Sequence, residues 1–131
     1  MIVKTSDLSG IALDYVVALI EGWLEEADNK YDGIEFKESV HQYGSCHYST
    51  NWQQGGPIIE RESICIGRKA QLDPEYCPLN DPKTEYWART PKGGFQKVGS
   101  SHLEATMRCY VASKLGDTVD IPDELLSNRE V

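Results

Sequence analysis

The sequence is most tightly constrained by two long amphipathic helical patterns, one near each end. Leu13, Val16, Val17, Ile20 and Leu24 recur at three- and four-residue spacing, and Tyr15, Leu19 and Trp23 widen the stripe. Thr5-Ser6-Asp7 stands just upstream, and any of the three can cap a helix N-terminus, so the pattern predicts a helix from about Leu8 to Leu24. The second pattern opens with the capping box Ser101-His102-Leu103-Glu104. It continues through Leu103, Met107, Tyr110, Val111 and Leu115 on one face, and Gly116 stops it.

What lies between reads as strands and turns. Ile2 to Lys4 is a short edge strand, and Ile34-Glu35-Phe36 alternates after an Asp32-Gly33 turn, with 40–43 and 47–48 continuing a meander. Ile64-Cys65-Ile66 reads as a buried strand. Glu85-Tyr86-Trp87-Ala88-Arg89 and Phe95-Gln96-Lys97-Val98 form a hairpin through Pro91-Lys92-Gly93-Gly94. Residues 70–82 carry three prolines and read as a loop insertion; Val119 to Leu126 pack back, and 127–131 are a frayed tail.

Thr50 and Gln53 have capping-box spacing, and Pro57 follows Gly55-Gly56. This predicts two short helical pieces hinged at the glycine pair. Amphipathic helices must bury their stripes, and 131 residues suffice for one core. The expected architecture is therefore a single α+β domain: a layered sandwich of two long helices and a broken helix on a small, mainly antiparallel sheet of about four or five strands.

Charge and cysteine usage exclude several functions. A formal net charge of -8 argues against general nucleic-acid binding, which relies on Lys and Arg against phosphates. No run of eighteen apolar residues exists and the N-terminus lacks the order of a signal peptide, so the expectation is no membrane span and a cytosolic setting. Cys46, Cys65, Cys77 and Cys109 show no CxxC pairing and read as free thiols in a reducing compartment. Cys46-His47 with Cys65 and Cys77 lacks the paired spacing of a zinc site, so neither a metal nor another cofactor is expected.

No phosphate loop, GxSxG or HExxH is present. His41, His47 and His102 are the imidazoles; His102 is accounted for by its place in the first turn of a helix, and Glu60 and Glu62 at a helix start are commonplace. No catalytic residue is assigned.

The stretch from Ser49 to Glu62, STNWQQGGPIIERE, resembles the signature of the NinX-like proteins of temperate tailed phages. The opening Val3 to Gly10 with Ala12-Leu13-Asp14, and the closing Ala105 to Asp117, are similar to that family's first and last helices. Tyr48-Ser49-Thr50-Asn51 and the last helix also resemble, more weakly, the phage alpha-beta-alpha sandwich domain, while 29–47 and 70–82 do not align. The resemblance implies a phage accessory protein made in the cytoplasm of an infected bacterial host, and it carries no settled biochemical activity.

Thr50, Asn51, Trp52, Gln53, Gly55, Gly56 and Arg61 place hydroxyl, amide, aromatic and guanidinium groups around a glycine pair; Arg108, off the centre of the last helix's apolar face, either borders that pocket or faces water. A ring can stack on Trp52, amides can read its edge, and Arg61 can fork onto phosphate or carboxylate. The same residues also have a plain structural reading: Trp52 in the core, the glycines permitting close packing, and Arg61 paired with Glu60 or Glu62. The favoured expectation is a non-catalytic, homo-oligomeric binder that sequesters a small polar or nucleotide-like ligand. An interaction protein using an acidic surface and a nucleotide hydrolase are the alternatives.

Overall fold

The computed structural model describes residues 1–22, 36–41, 44–68, 85–91 and 96–126. Expectations for 23–24, 34–35, 42–43, Cys77, the 70–82 insertion, the hairpin turn at 92–95 and the tail at 127–131 fall outside these residues. Within them the chain is α+β, as its patterns predict.

The first strand, β1 (Ile2–Lys4), is followed by a 3-10 turn at Thr5–Asp7 and helix α1 (Gly10–Ile20). Thr5 is not the cap of α1. Its hydroxyl donates to the Gly116 carbonyl at 2.7 Å and its N–H to the Asp117 carbonyl at 2.7 Å, so it ties the two ends of the chain together. Ser9 takes the N-cap position without a side-chain bond, and the buried stripe of α1 runs through Leu13, Val16 and Val17.

Phe36, expected at the end of a strand, instead opens a turn of π-helix, Phe36–His41. Its ring is fully buried edge-on to Tyr15, centroids 5.2 Å apart, so a core contact overrides the local alternation.

Helix α2 (Trp52–Glu62) is continuous, which corrects the hinge expected at Gly55-Gly56. Its cap is Asn51, whose side chain accepts the Gln53 N–H at 2.8 Å. Pro57 removes one backbone donor, and Ser63 closes the helix in the left-handed region. Gly55 is buried where α2 crosses the next helix: a Cβ there would sit 2.6 Å from the Tyr48 carbonyl oxygen and 2.7 Å from Leu103.

Strands β2 (Cys65–Arg68), β3 (Tyr86–Arg89) and β4 (Lys97–Gly99) form an antiparallel sheet in which Gly67 faces Trp87 and Tyr86 faces Gly99. Helix α3 (His102–Leu115) follows, and β5 (Thr118–Asp120) pairs antiparallel with β1 in a separate two-stranded ribbon. The expected single sheet of four or five strands is thus two sheets among the described residues.

Helix α3 is the central layer, packed against the three-stranded sheet and α1. Leu103, Met107 and Tyr110 are buried on one side, and Ala105, Cys109 and Ala112, spaced i, i+4, i+7, on another. The second row is small because the sheet comes close: a Cβ on Gly99 would lie 2.7 Å from the Ala105 nitrogen. Leu115, expected in the apolar face, is half exposed, whereas Val119, Ile121 and Leu125 do pack back into the core.

Gly55→Ala should destabilise the protein by about 1–3 kcal/mol through overpacking. Gly56→Ala, with nothing within 4 Å of the added carbon, should stabilise it by about 0.4–1 kcal/mol. Urea denaturation of the two variants checks both signs.

Candidate functional site

The N-termini of α2 and α3 meet at one cleft. Ser49, Thr50 and Trp52 line it from α2 and the residues before it, Ser100, Ser101, His102 and Leu103 from the start of α3, and Tyr86 from β3; its volume is about 340 Å³. Each helix start carries unpaired N–H groups and the positive end of a dipole, so two of them facing one cleft favour an anionic guest. The ends form locally. Asn51 caps α2, and on α3 the Glu104 N–H donates to Ser101 Oγ at 3.1 Å while Glu104 Oε1 accepts the Ser100 N–H at 2.9 Å.

Three rings make the aromatic wall. His102 packs edge-on to Tyr86 at 4.4 Å and tilted to Trp52 at 6.4 Å. Trp52 is 53% exposed, which excludes the reading of it as core; a large aromatic left half in water beside a cleft is an available stacking surface. Burial, with Arg68 nearby as the second cause, lowers the His102 pKa, so the imidazole is neutral at neutral pH.

Two buried polar atoms of the cleft residues, Ser49 Oγ and His102 Nδ1, have no hydrogen-bond partner among the described residues. Buried polar groups are ordinarily paired, so both carry a desolvation cost next to the cleft. Ser49 is fixed by its backbone N–H, which donates to Asp14 Oδ1 at 2.8 Å.

The structure divides the residues singled out from sequence. Thr50 and Trp52 line the cleft; Asn51 serves as the cap; Gln53 is exposed outside the lining; Gly55 is a packing residue and Gly56 also lies outside. Arg61 sits nine residues beyond Trp52, about 14 Å along the axis at 1.5 Å per residue. There it forks onto Glu21 at 3.0 and 2.8 Å, and donates to Glu62 at 3.0 Å and Tyr110 Oη at 2.9 Å. Arg108 donates to the Leu8 and Val98 carbonyls at 2.7 and 2.8 Å and pairs with Glu104, clasping three segments rather than bordering the cleft. Both arginines are committed to the fold.

Sequence reasoning missed Tyr86, Ser100, Ser101 and His102 as cleft residues. The signal was present in the capping box, which marks a helix N-terminus, but nothing local says that this end faces that of α2.

The cleft lies wholly inside the region that matches a known family. A family model described as Bacteriophage P22, NinX, covers residues 4–114. The chain belongs to this phage family. No curated protein matches it significantly. The NinX match takes in both helix starts, Tyr86 and the Arg61 cluster. Among the described residues, no helix is long and apolar enough to cross a membrane.

The Arg61 cluster has a pH signature. Burial pushes the Glu21 carboxyl up, but hydrogen bonds from Arg61 and Tyr110 outweigh it and hold the pKa below the usual carboxylate value. Its stabilisation is therefore complete above that usual value and lost as the pH falls through the depressed one. Arg61→Ala should cost about 1 kcal/mol at neutral pH, since half of the arginine is in water. Thermal melts of the variant across the acid range should show a smaller loss than wild type.

Proposed function

We propose that this NinX-family chain is a phage accessory protein that binds and sequesters, without catalysis, a small polar host molecule. The ligand carries an aromatic ring and an anionic group, as a nucleotide-derived anti-phage immune signal does. The observation that supports this reading is the convergence of two helix N-termini on an exposed Trp52. A ring stacks on Trp52 beside His102 and Tyr86. An anion takes the helix ends. About 340 Å³ suits a single nucleotide-sized unit; a larger signal engages a second copy of the chain, in keeping with a homo-oligomer.

Binding without turnover is favoured by the state of the hydroxyls. Ser101 Oγ is occupied by the Glu104 N–H and Ser100 Oγ donates to Glu104 Oε1 at 3.2 Å, so neither is paired with His102 as a nucleophile with its base would be. Cys46 and Cys109 are buried, and burial pushes both thiols up to about 11.

Native mass spectrometry of protein from infected cells, then denaturation and mass analysis of what is released, tests the proposal. An intact, stoichiometric small molecule is the expected result. An empty protein argues for the protein-partner alternative, and a released hydrolysis product for the hydrolase. Trp52→Ala should weaken retention by roughly 5- to 150-fold, the stacking share being about 1–3 kcal/mol, whereas Arg61→Ala should keep the ligand. Because burial and Arg68 lower the His102 pKa, an anion beside it favours protonation, so affinity should rise as the pH falls through the imidazole range.

A further inference from the structure

We propose that Asp14, His41 and His47 form a binding site for a divalent transition-metal ion of the zinc class. They come from three separate segments: α1, the end of the π-helical turn, and the loop before α2. One ligand atom from each lies within 4.8 Å of the others. His41 Nε2 is 3.1 Å from Asp14 Oδ2, and the two imidazole rings have their centroids 4.1 Å apart. Tetrahedral zinc bonds of about 2.0–2.2 Å put neighbouring ligand atoms about 3.3–3.6 Å apart. The His41–Asp14 pair stands close to that spacing, and His47 Nε2 is hydrogen-bonded to the His41 carbonyl, so Nδ1 is the nitrogen that His47 gives to the ion.

The electrostatics point the same way. Asp14 is 1% exposed on the buried stripe of α1, between Leu13 and the Val16-Val17 pair, where an ionised carboxylate is costly unless compensated. Its Oδ1 accepts the Ser49 N–H, and its Oδ2 accepts from His41. A dication in place of the proton shared by His41 and Asp14 neutralises that carboxylate and gives two adjacent imidazoles one partner. Two nitrogens and one carboxylate oxygen suit zinc, cobalt or iron(II) rather than magnesium or calcium, which take oxygen sets.

The surroundings hold the ligands in place. The His41 ring packs on buried Phe36 at 5.8 Å, and the His47 backbone N–H donates to Gln54 Oε1 on α2. Asp14 also anchors Ser49 of the cleft, so the ion stiffens the segment that carries Ser49 and Thr50. This inference stands on residues outside the cleft lining and does not depend on the ligand proposed for it.

The test uses the full chain, stripped with a chelator and titrated with zinc chloride by calorimetry and with cobalt(II) chloride by visible absorption. One equivalent of zinc, ring shifts of His41 and His47 in the wild-type NMR spectrum, and the intense visible bands of low-coordinate cobalt are expected. His47→Ala should abolish the cobalt bands and weaken zinc by roughly 100-fold, at or beyond the upper end of what losing an outer-shell partner costs. Cys65→Ser, which removes an exposed thiol, should leave both unchanged. His47 is a partly exposed loop residue, and far-UV circular dichroism checks that its variant is folded. The NMR shifts need no variant at all. No zinc uptake by the stripped wild type, or equal uptake by His47→Ala, overturns the proposal.

Discussion

The structure depends on burying one helix on two sides. From Leu103 to Ala112 only Glu104 and Arg108 of α3 keep contact with water, and both are held in hydrogen bonds. A helix so placed needs large residues toward α1 and α2 and small ones toward the sheet. The rows Leu103, Met107, Tyr110 and Ala105, Cys109, Ala112 meet that need. Each large side chain fully removed from water contributes about 1.5–3 kcal/mol, so this helix, with α1, carries much of the core.

Centring α3 also creates the cleft. The closeness of α2 to α3 at Gly55 sets where the start of α2 lies against that of α3. Two dipole ends of the same sign then border one cleft, an arrangement that an anion relieves. The strut from Asp14 on α1 to the Ser49 N–H fixes one wall. The site is built from helix starts, short hydroxyls and three rings, held by packing rather than by long charged side chains.

The long charged side chains serve elsewhere. Arg61, Glu21, Tyr110, Glu62 and Lys114 form one cluster joining the ends of α1, α2 and α3, at the opposite end of α2 from the cleft. Arg108 joins α3 to the Leu8 and Val98 carbonyls. In each case a guanidinium fork satisfies groups that a helix end or loop leaves open. That is the use expected of an arginine whose neighbours are backbone oxygens and carboxylates. It also explains how Arg61, which reads as a ligand group in a sequence window, comes to tie helix ends together in space.

The sequence by itself determined the α+β class, the two long helices, the hairpin strands, the Gly116 stop and the phage family, because periodicity, caps and a contiguous signature are local properties. It also pointed to Thr50 and Trp52. Only the tertiary structure decided that Phe36 coils into the core instead of extending, that Gly55 is a crossing point and not a hinge, and that His102 and Tyr86 stand beside Trp52. It alone brings Asp14 to His41 and His47, 27 and 33 positions further along the chain. Each of these rests on contacts between segments distant in sequence, and a spacing pattern holds no record of which helix ends meet.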